Sequence, residues 1–490
     1  VIAITDGKER INQSVFITVL DTTGPVAPTN ITVQQTITDI DGESVYGTNI
    51  NWESPTDDDY SAITIVRTEG TVATDITEGE VVFNGSEEIA SDTGLEQGTQ
   101  YFYTFFSVDD LGNQSEGTGA TVFILDPNET FVITESIDFG DLSISLANET
   151  IVSNNQTLAA YQINMLPGGS IKLNDSAVVS ANLLSFNGAN LSVGNGSVKA
   201  NQLTISLDGQ ISVSENGLID VSDIQVLNGN VFVDSTTISI NQIQLYGDSL
   251  LSGTGNAILN ISDANIGSGS LLLNQSTLNA DSLAMNSGEL TLNQSVLNIN
   301  QNVLLENASS TVNNSVLDAE EIIFSNAGEF IIAMSTLNAT ERISLGSALV
   351  RIEETEIESK DFGISNGANV QIATANLRLS NILEITGGDT SLANTTIDSG
   401  DVLLNSGSLN ITSTSNITIG NLLKVGGGRL DMVDTQLAAT TIEVSSGGNI
   451  SVSSSNLSTT SMLEIKQGSA SLSNVVINAG SIQVNTNGSL

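Results

Sequence analysis

Small residues recur over the last two thirds of the chain at Gly169, Gly188, Gly209, Gly229, Asp248, Gly269, Gly288, Ala308, Gly328, Ala348, Gly367, Gly388, Gly407, Gly428, Gly448, Gly468 and Gly488. The mean interval is about 20 residues, the length of one solenoid coil. Within the unit that opens at Gly288, Leu290 and Leu292 alternate with polar residues, as do Leu297 with Ile299 and Val303 with Leu305. This is period 2, three times per unit, and it excludes a helical repeat. Three brief strands bending round a triangular section, each paired with its equivalent one coil away, make a parallel β-helix. One coil buries too few aliphatics to offset the ordering of some 20 residues at about 1–2 kcal/mol each, so coils must stack to fold. Asn274, Asn293 and Asn313 stand two places before Ser276, Ser295 and Ser315, which predicts amide and hydroxyl ladders at one corner, continued by Thr355, Thr374, Thr395, Thr435 and Ser455.

Composition narrows the chemistry. Among 490 residues there are 12 Lys plus Arg against 56 Asp plus Glu, a formal net charge of -44, with no His and no Cys. Nucleic acid and anionic membrane surfaces are thereby repelled, and Ser-His or Cys-His nucleophiles, disulfides and most zinc or transition-metal sites are excluded. With no apolar run long enough to span a bilayer, no membrane insertion of this segment is expected. Val1 and the lack of a basic-then-apolar leader suggest a mature product or a piece of something longer.

The expected fold is all-β, with an antiparallel sandwich ahead of the solenoid. Residues 1–23 read as one hairpin, an apolar Val1 to Ile4, a turn at Asp6-Gly7-Lys8 and a strand from Ser14 to Leu20. Such a hairpin suits the end of a preceding immunoglobulin-like domain, with the natural chain continuing upstream. Over residues 24–125, alternating runs from Ser44 to Trp52, Ser61 to Val66 and Tyr101 to Val108 are divided by Gly, Pro and Asp clusters. Pro25 and Pro28 before the first strand, Trp52 in the second, Tyr60, Ile63, Ile65 and Arg67 in the third, Leu95-x-x-Gly98-Thr99-x-Tyr101, and Val108, Asp109, Gly112 and Asn113 resemble a fibronectin type III module in order. Residues 126–167 lack the Gly anchor and read as degenerate capping coils, and residues 168–490 form the β-helix proper.

The coil pattern also resembles the solenoids of filamentous-haemagglutinin-like adhesins and autotransporter passengers, which implies a secreted or cell-surface protein. The leading expectation is therefore a non-catalytic, adhesive or structural stalk or fibre component, facing carbohydrate or another cell and associating in line with further copies. The alternatives are a β-helical enzyme or binder acting on polysaccharide, and a self-assembling filament subunit. The densest titratable cluster, Glu341, Arg342, Arg351, Glu353, Glu354, Glu356, Glu358, Lys360 and Asp361, reads as a solvated face, because Glu354, Glu356 and Glu358 alternate with Thr355 and Ile357. Asp57, Asp58 and Asp59, with Asp109 and Asp110, are the candidate ligands for Ca²⁺, and Asp39-x-Asp41-Gly42-Glu43 is a fragment of an oxygen-ligand loop. Asn-x-Ser/Thr sequons, Asn12, Asn84, Asn274 and Asn410 among them, would suit a glycoprotein.

Overall fold

Backbone hydrogen bonds in a solenoid run from coil to coil, so register decides which side chains meet. The computed structural model describes residues 2–5, 10–13, 21–40, 43–96, 99–124, 130–140, 143–326, 328–485 and 487–490. It forms two units, one of residues 1–129 with 141–145, the other of residues 130–140 with 146–490. The architecture is all-β, as the sequence predicts, and no helix among the described residues is long and apolar enough to cross a membrane.

In the first unit, β1 (Ile2–Thr5) pairs antiparallel with β2 (Arg10–Gln13), so the partner strand comes earlier than the expected Ser14 to Leu20, which lie outside the described residues. The strands β3 (Thr29–Ile40), β4 (Glu43–Glu53) and β7 (Ile89–Leu95) form one antiparallel sheet. A second sheet holds β6 (Glu80–Gly85), β5 (Tyr60–Glu69), β8 (Gln100–Asp109) and β9 (Thr118–Phe123) in that order. Alternation along β4, β5 and β8 sends Ile50, Trp52, Ile63, Ile65, Tyr103 and Phe105 into a shared core. Trp52 meets Phe83 and Phe105 edge-on at 5.1 and 5.7 Å, a favoured aromatic arrangement. Asp92 of β7 ties the sheets together, accepting hydrogen bonds from Arg67 Nη1 at 2.7 Å and from the Tyr103 hydroxyl at 2.8 Å. Burial pushes the Tyr103 phenol well above its ordinary value.

The second unit is a single parallel sheet wound into about 18 turns of some 20 residues. Coiling already starts at Phe131–Ile133, which pairs in parallel with Glu149–Val152, and that strand pairs in turn with Ser170–Leu173. Leu290, Leu292, Leu297, Val303 and Leu305 are fully buried, stacked above and below their equivalents. Most coils carry two strands rather than three. The second runs unbroken round one bend, as in Val316–Ser325 and Thr336–Gly346, because hydrogen bonding continues through a bulge there.

Two columns differ in detail from the sequence reading. Register places Ala189, Ser249 and Ala368 in the anchor column, one residue after Gly188, Asp248 and Gly367. A Cβ on Gly388, at φ 86°, would come 2.1 Å from the Ala368 carbonyl oxygen, so a side chain is excluded at that anchor. At the opposite corner the buried hydroxyl ladder is present: the backbone N–H of Ser276 donates to Ser295 Oγ at 3.2 Å, that of Ser295 to Ser315 at 3.0 Å, and that of Ser315 to Ser335 at 3.2 Å. Thr374 is not in it. Thr374 occupies the preceding left-handed position, φ 54°, and Ala375 takes the buried place. That left-handed position is filled in neighbouring coils by Gln275, Gln294, Asn314, Met334 and Glu354.

Candidate functional site

The bend inside the long strand positions the site. Bulges recur there between Ala319 and Glu321, Ala339 and Arg342, Ser359 and Asp361, and Leu379 and Ile382, which leaves a shallow trough along the outside of the bend. One wall is a column of outward residues locked in register coil by coil: Asp220, Ser239, Asn260, Asn279, Asn298, Asp318, Asn338, Glu358, Arg378 and Asp398. At about 4.8 Å per coil this wall extends roughly 43 Å. Its first half borders a hollow of about 440 Å³ with Asn241, Asp281 and Asn300 on the far side. The second half borders one of about 780 Å³ with Thr340, Lys360 and Ser380 opposite.

Stacking makes the wall rigid. Asn279 Nδ2 donates to Asn260 Oδ1 at 2.8 Å, Asn298 Nδ2 to Asn279 Oδ1 at 2.9 Å, and Asn338 Nδ2 to Asp318 Oδ1 at 2.5 Å. A primary amide has two N–H donors and two acceptor lone pairs. The ladder uses one of each on Asn279, so a donor and an acceptor remain for solvent or ligand. The side chains are held by their neighbours before anything binds, which lowers the ordering cost of association.

The titratable cluster of the sequence is dispersed. Arg351 pairs with Glu329 at 2.7 Å on another face. Glu354 sits at the left-handed corner, φ 48°, so it does not alternate with Glu356 and Glu358 along one strand. Glu356 accepts from Asn376 at 2.6 Å, and Asp361 from Asn381 at 2.7 Å. Only Glu358 and Lys360 of that cluster line the trough. The Lys360 ammonium is held above its usual range by its hydrogen bond to Glu341 at 2.5 Å. Sequence reasoning missed the trough because its wall is assembled from residues some 20 apart. The available signal was the polar residue three places after each corner hydroxyl, as in Ser276 to Asn279 and Ser295 to Asn298.

The candidate calcium ligands are also divided by the fold. Asp57 Oδ2 accepts the Val26 N–H at 2.7 Å, while carboxylate oxygens of Asp59 and Asp109 converge with one from Asp21 within 4.8 Å of one another. Asp58 and Asp110 are not in that group. Burial works to raise the Asp109 carboxyl, but hydrogen bonds from Asn113 and from the Leu111 N–H outweigh it and hold the group below its usual range. Asp21 is held low by the Thr23 N–H and hydroxyl. The Asp39 to Glu43 loop lies outside the residues whose side chains are described.

No protein-family model matches the sequence, and no curated protein does. Among solved structures, the pectate lyase PelI of Erwinia chrysanthemi in complex with tetragalacturonic acid aligns at 12% identity, over 58% of this chain and 84% of its own, with a TM-score of 0.14. A family 28 exopolygalacturonase of Yersinia enterocolitica aligns at 10% identity, over 94% and 99%, with a TM-score of 0.18. A structure described as a myokine covers 21% of this chain and 99% of its own at 16% identity and a TM-score of 0.16. Against the expectation of a non-catalytic chain, the solved structures that align with it include pectate lyases and an exopolygalacturonase, at 10–12% identity and TM-scores of 0.13–0.18.

Proposed function

We propose that the solenoid is an extracellular, polysaccharide-engaging surface in which an extended glycan lies along the trough, with the antiparallel sandwich as an accessory module. The observation that carries this reading is the ten-coil wall, which presents amides and carboxylates at a fixed repeat and is laddered through Asn260, Asn279 and Asn298 and again through Asp318 and Asn338. A glycan chain is a line of hydroxyl groups, each both donor and acceptor, so it complements such a wall along its whole length. Many modest hydrogen bonds made by preorganised groups add up where a single one would be lost to water. The resemblance of the sandwich to a fibronectin type III module is supported by buried Trp52 and by the Tyr101 hydroxyl, which accepts the Glu96 N–H at 2.9 Å at the entry to β8.

Affinity electrophoresis and calorimetry against a panel of soluble polysaccharides test the reading. Asn279→Ala with Asn298→Ala removes two rungs that point outward, so the fold persists while glycan affinity falls. Equal affinity in parent and double variant would show that the trough is not the binding face. Product analysis of the same mixtures, with Glu358→Gln and Asp398→Asn alongside the parent, reads any cleavage.

We also propose that the convergent trio Asp21, Asp59 and Asp109, rather than the run Asp57 to Asp59, is where calcium would be held in the sandwich, because among the described residues these are the three whose carboxylate oxygens lie within 4.8 Å of one another.

A further inference from the structure

We infer that the trough selects uncharged polysaccharides and rejects polyuronates. The inference rests on the polysaccharide reading above and adds the chemical class of the sugar. Its basis is the charge of the lining and where the cations of that lining are committed.

Five carboxylates line the two hollows: Asp220, Asp281, Asp318, Glu358 and Asp398. The cations among the described lining residues are Lys360 and Arg378. Both are turned to partners outside it. Lys360 Nζ donates to Glu341 at 2.5 Å, and Arg378 Nη1 lies 3.6 Å from Glu356. A uronate carboxylate entering the trough would thus face five carboxylates and only two cations, each of which already lies beside a carboxylate outside the lining, against the background of a net charge of -44. Carboxylate recognition ordinarily uses the bidentate fork of an unengaged Arg.

An uncharged sugar meets a different surface. Asn260, Asn279 and Asn298 form the ladder, and on the far side of the hollow Asn300 Nδ2 donates to Asp281 Oδ1 of the coil before at 2.7 Å. Each leaves hydrogen-bonding capacity that a hydroxyl satisfies in both directions. Carboxylates are equally good acceptors for sugar hydroxyls, and they lose nothing to repulsion when the ligand is neutral.

The experiment compares a β-glucan, a galactan and a mannan with polygalacturonate of matched length by calorimetry, in EDTA so that no divalent ion bridges carboxylates. At least one neutral glycan is expected to bind about tenfold or more tightly than polygalacturonate, with little dependence on salt, while any polyuronate binding strengthens as salt screens the repulsion. Glu358→Gln with Asp398→Asn is expected to narrow the gap by admitting the polyuronate. Polygalacturonate binding as tightly as the best neutral glycan in EDTA would overturn the inference and leave the polysaccharide reading standing. Binding by none of the glycans would overturn both.

Discussion

The buried hydroxyl ladder allows a prediction in both directions. Ser315 is 3% exposed, its hydroxyl donates to the Asn313 carbonyl at 2.7 Å, and its oxygen accepts the N–H of Ser295 from the coil before. Ser315→Ala deletes one small group and leaves almost no cavity. The Asn313 carbonyl keeps the N–H of Gln294 at 3.0 Å, so it stays satisfied. The Ser295 N–H does not. A buried donor stripped of its acceptor costs about 1–3 kcal/mol, which sets the expected loss. The reciprocal site is natural: Ala375 stands in the same column, so Ala375→Ser supplies a missing acceptor and is expected to stabilise by about 0.5–1.5 kcal/mol. Ser315→Thr should be tolerated, since Thr355, Thr395 and Thr435 already occupy equivalent places. Urea unfolding gives the stability change, and because coils unfold as neighbours rather than as one block, hydrogen exchange at the Ser295 amide localises it. Unchanged midpoints for Ser315→Ala together with unchanged protection at Ser295 would refute the reasoning.

Thr374 is a β-branched residue held at φ 54° and exposed, so Thr374→Gly is expected to raise stability by up to about 1 kcal/mol, read as a higher urea midpoint. Thr390 is 3% exposed with an unpartnered hydroxyl inside the solenoid, and Thr390→Val should stabilise by about 1 kcal/mol; a lower midpoint would mean that the hydroxyl is satisfied. Asp21, Asp75 and Asp109 are held below the ordinary carboxylate range by hydrogen bonds from Thr23, Thr77 and Asn113. Folded values below unfolded ones mean stability that is full above the ordinary carboxylate pKa and is lost as pH falls through the folded values. The sandwich should therefore weaken as pH falls through those folded values, followed by Trp52 fluorescence. Calcium should shift that acid transition to lower pH, and Asp59→Asn should abolish the shift; an identical transition with and without calcium would leave the trio held by hydrogen bonds alone.

The solenoid was legible because its determinants are local and repeated: Leu290, Leu292 and Leu297 each announce an inward position by alternation, and the corner hydroxyls Ser276, Ser295 and Ser315 fall at fixed offsets. Single-residue ambiguity survived where two polar or small residues are adjacent, as at Thr374-Ala375 and Gly367-Ala368, because either can be drawn into the repeat until pairing fixes the register. The trough depends on which residues stack and on bulges that leave little trace in composition. The carboxylate trio needed tertiary folding, since Asp21, Asp59 and Asp109 are far apart in sequence.

The parallel register of the solenoid has a mechanical consequence. Inter-coil hydrogen bonds, such as those from the Val296 N–H to the Ser276 carbonyl and from the Val316 N–H to the Ser295 carbonyl, lie along the axis, so tension applied along that axis strains the coils in series and the weakest contact yields first. Each coil that peels away releases some 20 residues, about 60 Å of extended chain beyond the rise it gave up. Stretched in this way, the molecule should lengthen by evenly spaced yielding events and absorb work over a long distance. Under a load across the axis, many coils share the strain at once, and it should behave as a stiff beam.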